Sequence, residues 1–487
     1  MTELIGPGTV AQIHFSSEGV DGVSLQIQET RLQLDETELE NATISCDFDP
    51  QSDFAGVRIP ELNYHDPRVA RLREQLNPAW AEAAGQTPTL VNPKLESELL
   101  DKIYAQAYSI EQKLEQAIDR LEVTVVHLRN ITSLPHLHPG AALAAYRLIK
   151  RRQDVHFLLH HHDLSWEGPA AKFNYFTFPK AEELMQQIQV PNFPNTSHIA
   201  INPRTRDRLA EKFGIKIEYI PDGFDFNQEV APLKRDEFIK LINAQYLEQN
   251  PESHPLNKND LIFGMMTRIV SNKSIELAIQ LIAQIEKNRS WLHQQKIGPH
   301  QIEFSPESQI VLVMPNPADA QLDYQEKLTH YAKQKGVKIV FVKNLEESGV
   351  EFYQTYQPMD AIIYPSEHEG FGNQAIEAVW SRLLMIVHYY PVFTALIDSI
   401  PHHVSLGYNS HLVRGELTNG LNLLNPEILE QATFETILSL LDPNFESKLD
   451  QNRELLEKLC SIEVVVNRYM EIYFDESKHR PARRAAN

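Results

Sequence analysis

Cysteine is almost absent from this sequence: Cys46 and Cys460 are the only two among 487 residues. A disulfide framework is therefore excluded, and a reducing compartment, the cytoplasm, is the expected setting. No run approaches the roughly 18 uninterrupted apolar residues of a membrane-spanning helix, so no transmembrane segment is expected. The opening MTELIGPGTVAQIHF has no basic stretch followed by a long apolar one, so no secretory leader is expected. Basic residues are the minority, 45 Lys and Arg against 66 Asp and Glu, a net charge of −21. That balance argues against nucleic acid as a partner. Any anion the chain binds must be met by positive charge concentrated in one place. No internal repeat of short fixed period is present either.

What is present is an alternation. In the first half, candidate strands are Val10–Ser16, Val123–Leu128, Val155–His161, His198–Asn202 and Ile217–Gly223, most of them followed by helical patterns. The second half supplies LIFGMMTR, IVLVMP, KIVFV, AIIYPS and LMIVHY, again separated by helices. Near-continuous β-branched runs between helices indicate parallel sheets covered on both faces. The fold class is α/β, with two doubly wound, Rossmann-like domains. The first is expected over 1–225 and the second over 258–460. A linker broken by proline is expected at 226–257, and 461–487 should hold a helix crossing back to the first domain, then a tail with KHRPARR.

Within the first domain, residues 50–122 read as a largely helical insertion. Ile103, Ala107, Ile110, Leu114, Ala117 and Leu121 recur at helical spacing and make one apolar seam. That seam either packs on its own domain or, as a short heptad stripe, joins two copies into a homodimer. The basic run YRLIKRRQD (Tyr146–Asp154) either touches anionic lipid at a membrane surface or places cations at a helix C-terminus; the second reading is favoured.

The stretch EHEGFGNQAIEA (Glu367–Ala378) joins the carboxylates of Glu367, Glu369 and Glu377 to the bare backbone of Gly370 and Gly372, right after the strand AIIYPS. Strand, loop and helix place it at the carboxyl edge of a parallel sheet, where open α/β folds bind ligands. The glycines allow close approach, and a helix starting near Asn373 turns free N–H groups to the same spot. Paired carboxylates suit the vicinal hydroxyls of a sugar or ribose but repel phosphate. Phosphate would instead find Arg268 and Lys273 in MMTRIVSNKS, across the turn after the second domain's first strand.

With R-x4-K ahead of E-x7-E in PSEHEGFGNQAIEA, the chain resembles the retaining nucleotide-sugar glycosyltransferases of family four, which have the GT-B fold. SEGVDGVS (Ser17–Ser24) is similar to that family's Gly-rich loop, and IPDGFDF to its Pro-x-Gly-x-Asp turn. The ordered set covers most of the chain. The combination HHHDLSWEG, TRIVSNKSIELA and YYPVF looks most like the branch of mannosylglucosylglycerate-type synthases.

The resemblance implies two domains facing a central cleft. It implies transfer of a hexose from a nucleotide-diphosphate sugar, of GDP-mannose or UDP-glucose type, to a small soluble acceptor, with anomeric configuration retained and no metal or other cofactor. It also implies roles. Glu377 holds the ribose hydroxyls, while Glu369 and the backbone of Gly370, Phe371, Gly372 and Asn373 hold the donor sugar. Arg268 and Lys273 stabilise the departing diphosphate. His162, in the terminal His-Asp of FLLHHHD, contacts the donor sugar, with Asp163 beside it facing the acceptor. Gly19, Asp21 and Gly22 form the acceptor or phosphate loop. Where many relatives carry a Gly-Gly pair, this chain has Tyr389, Tyr390 and Pro391, which would reshape the sugar pocket.

Three rival readings remain. A GT-A enzyme would use Asp47 and Asp49 of CDFDP for a metal, but they lie outside the donor half. The histidine triplet at 160–162 together with His136 and His138 could ligate a metal, yet alternation lets at most two of the triplet converge. Finally, the same fold serves nucleotide-sugar epimerases, hydrolases and silent sugar-binding proteins.

Overall fold

Short β-branched runs become strands, and proline and asparagine mark where the helices between them begin. The computed structural model describes residues 9–19, 21–37, 39–167, 169–315, 321–413 and 420–475, and the basic tail KHRPARR lies outside them. The chain forms two units, residues 1–225 with 460–487, and residues 226–459.

The first unit is built on a seven-stranded parallel sheet: β1 (Thr9–Ile13), β2 (Asn41–Ser45), β3 (Ala55–Arg58), β4 (Val123–Arg129), β5 (His156–His161), β6 (Thr196–Ala200) and β7 (Glu218–Tyr219), in the order β3-β2-β1-β4-β5-β6-β7. Its helices are α1 (Gly22–Asp35), α2 (Pro67–Leu76), α3 (Pro78–Ala83), α4 (Pro93–Arg120), α5 (Pro139–Arg151), α6 (Pro179–Ile188) and α7 (Pro203–Phe213). In the second unit, α8 (Arg235–Gln249) precedes the strand β8 (Leu261–Gly264) and the helix α9 (Ile275–Lys287). After a small hairpin, β9 (Lys296–Ile297) and β10 (Ile302–Glu303), come β11 (Ile310–Pro315), α10 (Leu322–Lys335), β12 (Lys338–Val342), β13 (Ala361–Tyr364), α11 (Asn373–Trp380), β14 (Leu384–Tyr389) and β15 (Val404–Tyr408). The larger strands form a six-stranded parallel sheet, β12-β11-β8-β13-β14-β15. A second hairpin, β16 (Leu412–Val413) and β17 (Leu423–Leu424), leads to α12 (Pro426–Leu441), α13 (Phe445–Cys460) and α14 (Ile462–Tyr473). No helix among the described residues is long and apolar enough to cross a membrane.

The helix α14 belongs to the first unit and packs on α1 and β5. Ser461 caps it, accepting from Val464 N at 3.3 Å. The peptide groups of Phe224 pair with Cys460 O and Ile462 N at 2.9 Å each. A side chain at Gly223 would meet Ile462 Cδ1 at 2.6 Å, so the turn after β7 stays glycine to let the helix close in.

The stretch 226–257, expected to be a linker, instead carries α8. Phe238, Ile239, Ile242 and Tyr246 lie in the second unit's core with Leu256. Their spacing is helical; the prolines around them end the helix rather than forbid it. Arg235, the first residue of α8, pairs with Asp360 at 2.8 Å, and Asp360 also accepts from Ile262 N at 2.7 Å.

The insertion is only partly helical, since β3 extends the sheet. Asn92 starts α4 by accepting from Leu95 N at 2.9 Å, with Pro93 in the first turn. Its seam from Ile103 to Ala117 is buried in the first unit's core against α5, so the seam is not a free face for a second copy. The basic run is neutralised along the same contact. Arg151 pairs with Glu111 and, at 2.8 Å, with Glu115, while Arg152 pairs with Asp119 at 2.7 Å and Asp154 at 2.8 Å. These cations are thereby withdrawn from the lipid role.

Leu114→Ala should cost about 2–5 kcal/mol of unfolding free energy, read from urea denaturation, without changing the native mass on gel filtration. A change of mass with unchanged stability would put the seam in an intermolecular interface instead.

Candidate functional site

In the second unit, β8 and β13 are parallel neighbours, with Phe263 opposite Ala361 and Gly264 opposite Ile362. Their carboxyl ends lie side by side, so the turn after β8 and the loop after β13 share one sheet edge. Lys273 comes from the first and Glu369 from the second, and their ammonium and carboxylate are in direct contact. Both side chains are largely withdrawn from solvent, with 8% and 16% exposure, which makes the pair more than a loose surface contact. The loop is tied to the turn again where Glu367 N donates to Asn272 O at 3.1 Å. Arg268 stands on the same turn but is exposed, with no ion-pair partner among the described residues.

Gly372 needs to be glycine twice over. Its φ is +118°, and a Cβ there would lie 2.0 Å from the Tyr390 hydroxyl, which donates to Phe371 O at 3.2 Å. The tyrosine found in place of the Gly-Gly pair is thus buried beneath the glutamate loop as its support. Gly370 and Asn373 are half-buried at the mouth of α11, whereas the Phe371 side chain is turned inward. Tyr364, at the end of β13, is fully buried; burial first and Glu369's charge second push its phenol well above the usual range. Tyr389 turns elsewhere, its hydroxyl 2.8 Å from His403 Nε2.

Glu377 lies farther along α11, buried, with the Tyr356 hydroxyl donating to its carboxylate. Burial pushes its pKa up to about 7, against the opposing effect of that hydrogen bond. Tyr356 is raised well above a normal phenol by burial and then by Glu377's charge, which keeps it a donor.

The first unit has its own edge. Loop 14–21 follows β1, Asn130 follows β4 and His162 follows β5, three adjacent parallel strands. Asp21 caps α1, accepting from Val23 N at 3.1 Å and Ser24 N at 3.2 Å, and from Ser24 Oγ at 2.6 Å. Gly22 opens α1, and Gly19 crowds Ser16, Asp21 and Ser24 so closely that a Cβ would lie about 3 Å from their oxygens. Asp163 is exposed and accepts from Asn130 Nδ2 at 3.0 Å. Asn130, in a left-handed conformation with φ 57°, also receives His162 N at 2.9 Å and Asp163 N at 3.1 Å.

His162 itself is buried. Its Nδ1 is 3.4 Å from Asp222 Oδ1 and its Nε2 3.5 Å from Arg129 Nη1. Alternation holds along β5. His160 lies beside His162 with ring centroids 4.0 Å apart and planes tilted by 32°, whereas His161 faces Ser133 Oγ at 2.6 Å and His198 on the other side. Burial lowers His160 and His161 well below an ordinary histidine. His160, His162 and Asp222 are the one set among the described residues with three possible metal ligands, within 4.8 Å of one another. Arg129's guanidinium already stands against it, and a second cation would meet that charge. The carboxylates of the rival metal reading are accounted for locally. Asp47 accepts from Ser17 N at 2.8 Å and Ser45 Oγ at 2.9 Å, and Asp49 from Gln51 N at 2.9 Å.

The structure therefore brings Lys273 and Glu369 into contact, places Arg268 and Gly370–Asn373 on the same edge with Glu377 one helix turn in, and assembles His162, Asp163, Gly19, Asp21 and Gly22 on the edge of the other sheet. Sequence reasoning missed Arg129, Asn130 and Asp222. A signal existed for the first two, since LRN puts an arginine and an asparagine where an apolar strand ends.

The chain is similar to known proteins over most of its length. Residues 248–399 match the family Glycosyl transferases group 1. Over 445 residues, 89% of this chain and 94% of the other, the sequence is 29% identical to the mannosylglucosylglycerate synthase of Petrotoga mobilis. A glycosyltransferase from Rickettsia africae superposes with a TM-score of 0.57 at 16% identity, covering 98% of this chain and all of that one. The Anabaena protein HepE, solved with UDP and glucose, gives 0.53 at 12% identity, covering 96% of this chain and 99% of that one. At such identities the solved structures establish the fold, which is GT-B.

The raised pKa of Glu377 has a measurable sign. The folded chain holds this proton up to about pH 7, whereas an ordinary glutamate releases it near 4.5. Across that window the unfolded state binds fewer protons, so stability falls as pH rises, by on the order of 3 kcal/mol from this group. Urea unfolding at about pH 5 and about pH 7.5 should show a smaller fall in Glu377→Gln than in the wild type; equal falls would refute the shift.

Proposed function

We propose that this GT-B glycosyltransferase, with its glycosyl transferases group 1 domain at residues 248–399, moves a hexose from a nucleotide-diphosphate sugar to a hydroxyl of a small soluble acceptor. Anomeric configuration is retained and no metal ion takes part. The observation that carries the reading is the contact of Lys273 with Glu369 on the β8–β13 edge, with Arg268 on the same turn. Such an edge offers cations to a diphosphate and carboxylate oxygens to sugar hydroxyls, in one place.

The roles follow from chemistry. Arg268 and Lys273 take up the charge that develops on the diphosphate as the bond from sugar C1 to phosphate oxygen breaks, which is the work a metal ion does in other transferases. Glu369 and the backbone from Gly370 to Asn373 hold the sugar. Glu377, when ionised, accepts from the ribose hydroxyls. The new bond from C1 to the acceptor oxygen forms on the face the phosphate leaves, and the acceptor's proton passes to the departing phosphate oxygen. On the first unit, His162 and Asp163 are the candidates for sugar and acceptor contacts, and the loop of Gly19, Asp21 and Gly22 lies on the same sheet edge.

The mannosylglucosylglycerate synthase relative, whose product joins mannose, glucose and glycerate by its name, supports a hexose as the group moved and an acceptor bearing a glycerate carboxylate. HepE, holding UDP and glucose, supports a nucleotide-sugar site in this fold. The free thiols of Cys46 and Cys460 fit work in the cytoplasm.

Incubation with GDP-mannose, UDP-glucose and ADP-glucose, with and without sugar-glycerate acceptors, should give an acceptor-dependent product of retained configuration by NMR, undiminished by EDTA. Turnover of donor alone would point to a hydrolase or epimerase, and rescue by Mn²⁺ after chelation would refute the metal-free mechanism. Lys273→Ala and Glu377→Ala should each lower kcat/KM by about 10²–10³-fold with the far-UV CD spectrum kept. Wild-type rates in both would overturn the assignment.

A further inference from the structure

We propose that Asn422, outside every motif, is a positioning residue of the donor site: with Glu367 it locks the turn that presents Lys273. The inference rests on the donor-site reading of Lys273 and goes beyond it by naming what holds that lysine.

Ser274, between Lys273 and the first residue of α9, is in the left-handed conformation, φ 47° and ψ 46°. A non-glycine residue persists there only when its surroundings over-determine it. At this position a serine hydroxyl would ordinarily cap the helix, but this one does not. Instead it donates to Glu367 Oε1 at 2.8 Å. Asn422 Nδ2 donates to the same oxygen at 2.6 Å and to Ser274 Oγ at 3.0 Å. Three side chains from three segments thus close one hydrogen-bonded ring, and Glu367's own N–H reaches Asn272 O on the near side of Lys273.

Asn422 is itself anchored on α9. Its N–H donates to Glu276 Oε1 at 2.8 Å, and its carbonyl accepts from Gln280 Nε2 at 2.9 Å. Glu276 is fixed in turn by the Tyr324 hydroxyl. The helix that follows the turn therefore carries the amide that clamps the turn. The consequence for the site is direct. Residues on both sides of Lys273 are tied to Glu367, two residues before Glu369, so the ammonium and its carboxylate partner are registered by one ring. Glu367 is then an acceptor for neutral donors within the protein, and its place in the glutamate loop is to hold rather than to bind.

The test exchanges the two ends of the Asn422–Glu367 bond. Asn422→Ala and Asn422→Asp are expected to raise the KM for the donor sugar about tenfold and to weaken binding of the cognate nucleoside diphosphate (UDP, GDP or ADP) alike, by calorimetry, with CD spectra unchanged. The double variant Glu367→Gln/Asn422→Asp restores carboxylate facing amide at constant net charge, and both quantities should return to within about threefold of wild type. Should Asn422→Ala not fold, the near-isosteric Asn422→Asp and the double variant carry the comparison. Wild-type affinity in the single variants, or a double variant no better than Asn422→Asp, would overturn the positioning role alone. Failure of the wild-type chain to bind any of the three nucleotides would overturn the donor-site reading, and this inference with it.

Discussion

A lysine ammonium against a glutamate carboxylate, at the ends of two adjacent parallel strands, is the contact on which the second unit's site depends. In a chain of net charge −21 a cation this far from water needs a fixed partner, and Lys273 finds it in Glu369. Most of the local sequence can be read as what holds that pair. Parallel pairing of β8 with β13 brings the two loops together. Gly372 lets the loop fold over the Tyr390 hydroxyl, and Tyr364 closes the site from below Glu369. Arg268, exposed on the same turn, is then a cation without a protein partner among the described residues, next to one already paired.

The first unit solves the opposite problem. Arg129 is fully buried, yet its guanidinium donates to Gln12 Oε1 and Thr30 Oγ1, both at 3.0 Å, rather than to a carboxylate. The Tyr469 ring lies 5.8 Å away, and Asp222 stands across the His162 imidazole. Tyr473 extends the network to His127, 2.7 Å from its hydroxyl, and His127 lies 3.0 Å from His160. Both tyrosines come from α14, which is why the last described helix belongs to the unit that began the chain. Without it, a buried arginine and three histidines would face solvent or an apolar gap, at the cost of unsatisfied polar groups.

How much of this was legible in the sequence follows from what each signal depends on. The central strands, such as IVLVMP and AIIYPS, were readable because both faces are buried and every position is apolar. The strands NATIS and AGVR were not, although NATIS is fully buried, because their small and polar residues carry no periodic signal and they pair only once β1 exists. The helix α8 hid between prolines. The glutamate and lysine motifs were readable as local patterns, and their sharing of one edge followed from the strand-then-loop order. Asn422 and Asp222 were not, since a lone asparagine or aspartate acquires its role only from partners more than fifty residues away. For α4 the seam gave the helix but left its partner open. The decisive clue was nearby: Glu111, Glu115 and Asp119 recur every four residues, matched by Arg147, Arg151 and Arg152 of the following helical run.

The three carboxylates of one loop and helix show how little residue type alone decides. Glu367 accepts from a hydroxyl and an amide, two neutral donors, and joins three segments. Glu369 meets a full positive charge. Glu377 is buried and, among the described residues, has a tyrosine hydroxyl as its side-chain partner, so burial dominates and its proton is held up to about pH 7. The seven residues between Glu369 and Glu377 carry the chain from the loop through a left-handed glycine into the second turn of α11. The spacing therefore places two identical side chains in unlike surroundings, one matched to a cation and one poised between charge states. A ligand that offers a hydroxyl to Glu377 would stabilise its ionised form, and so would couple its own binding to the loss of that proton.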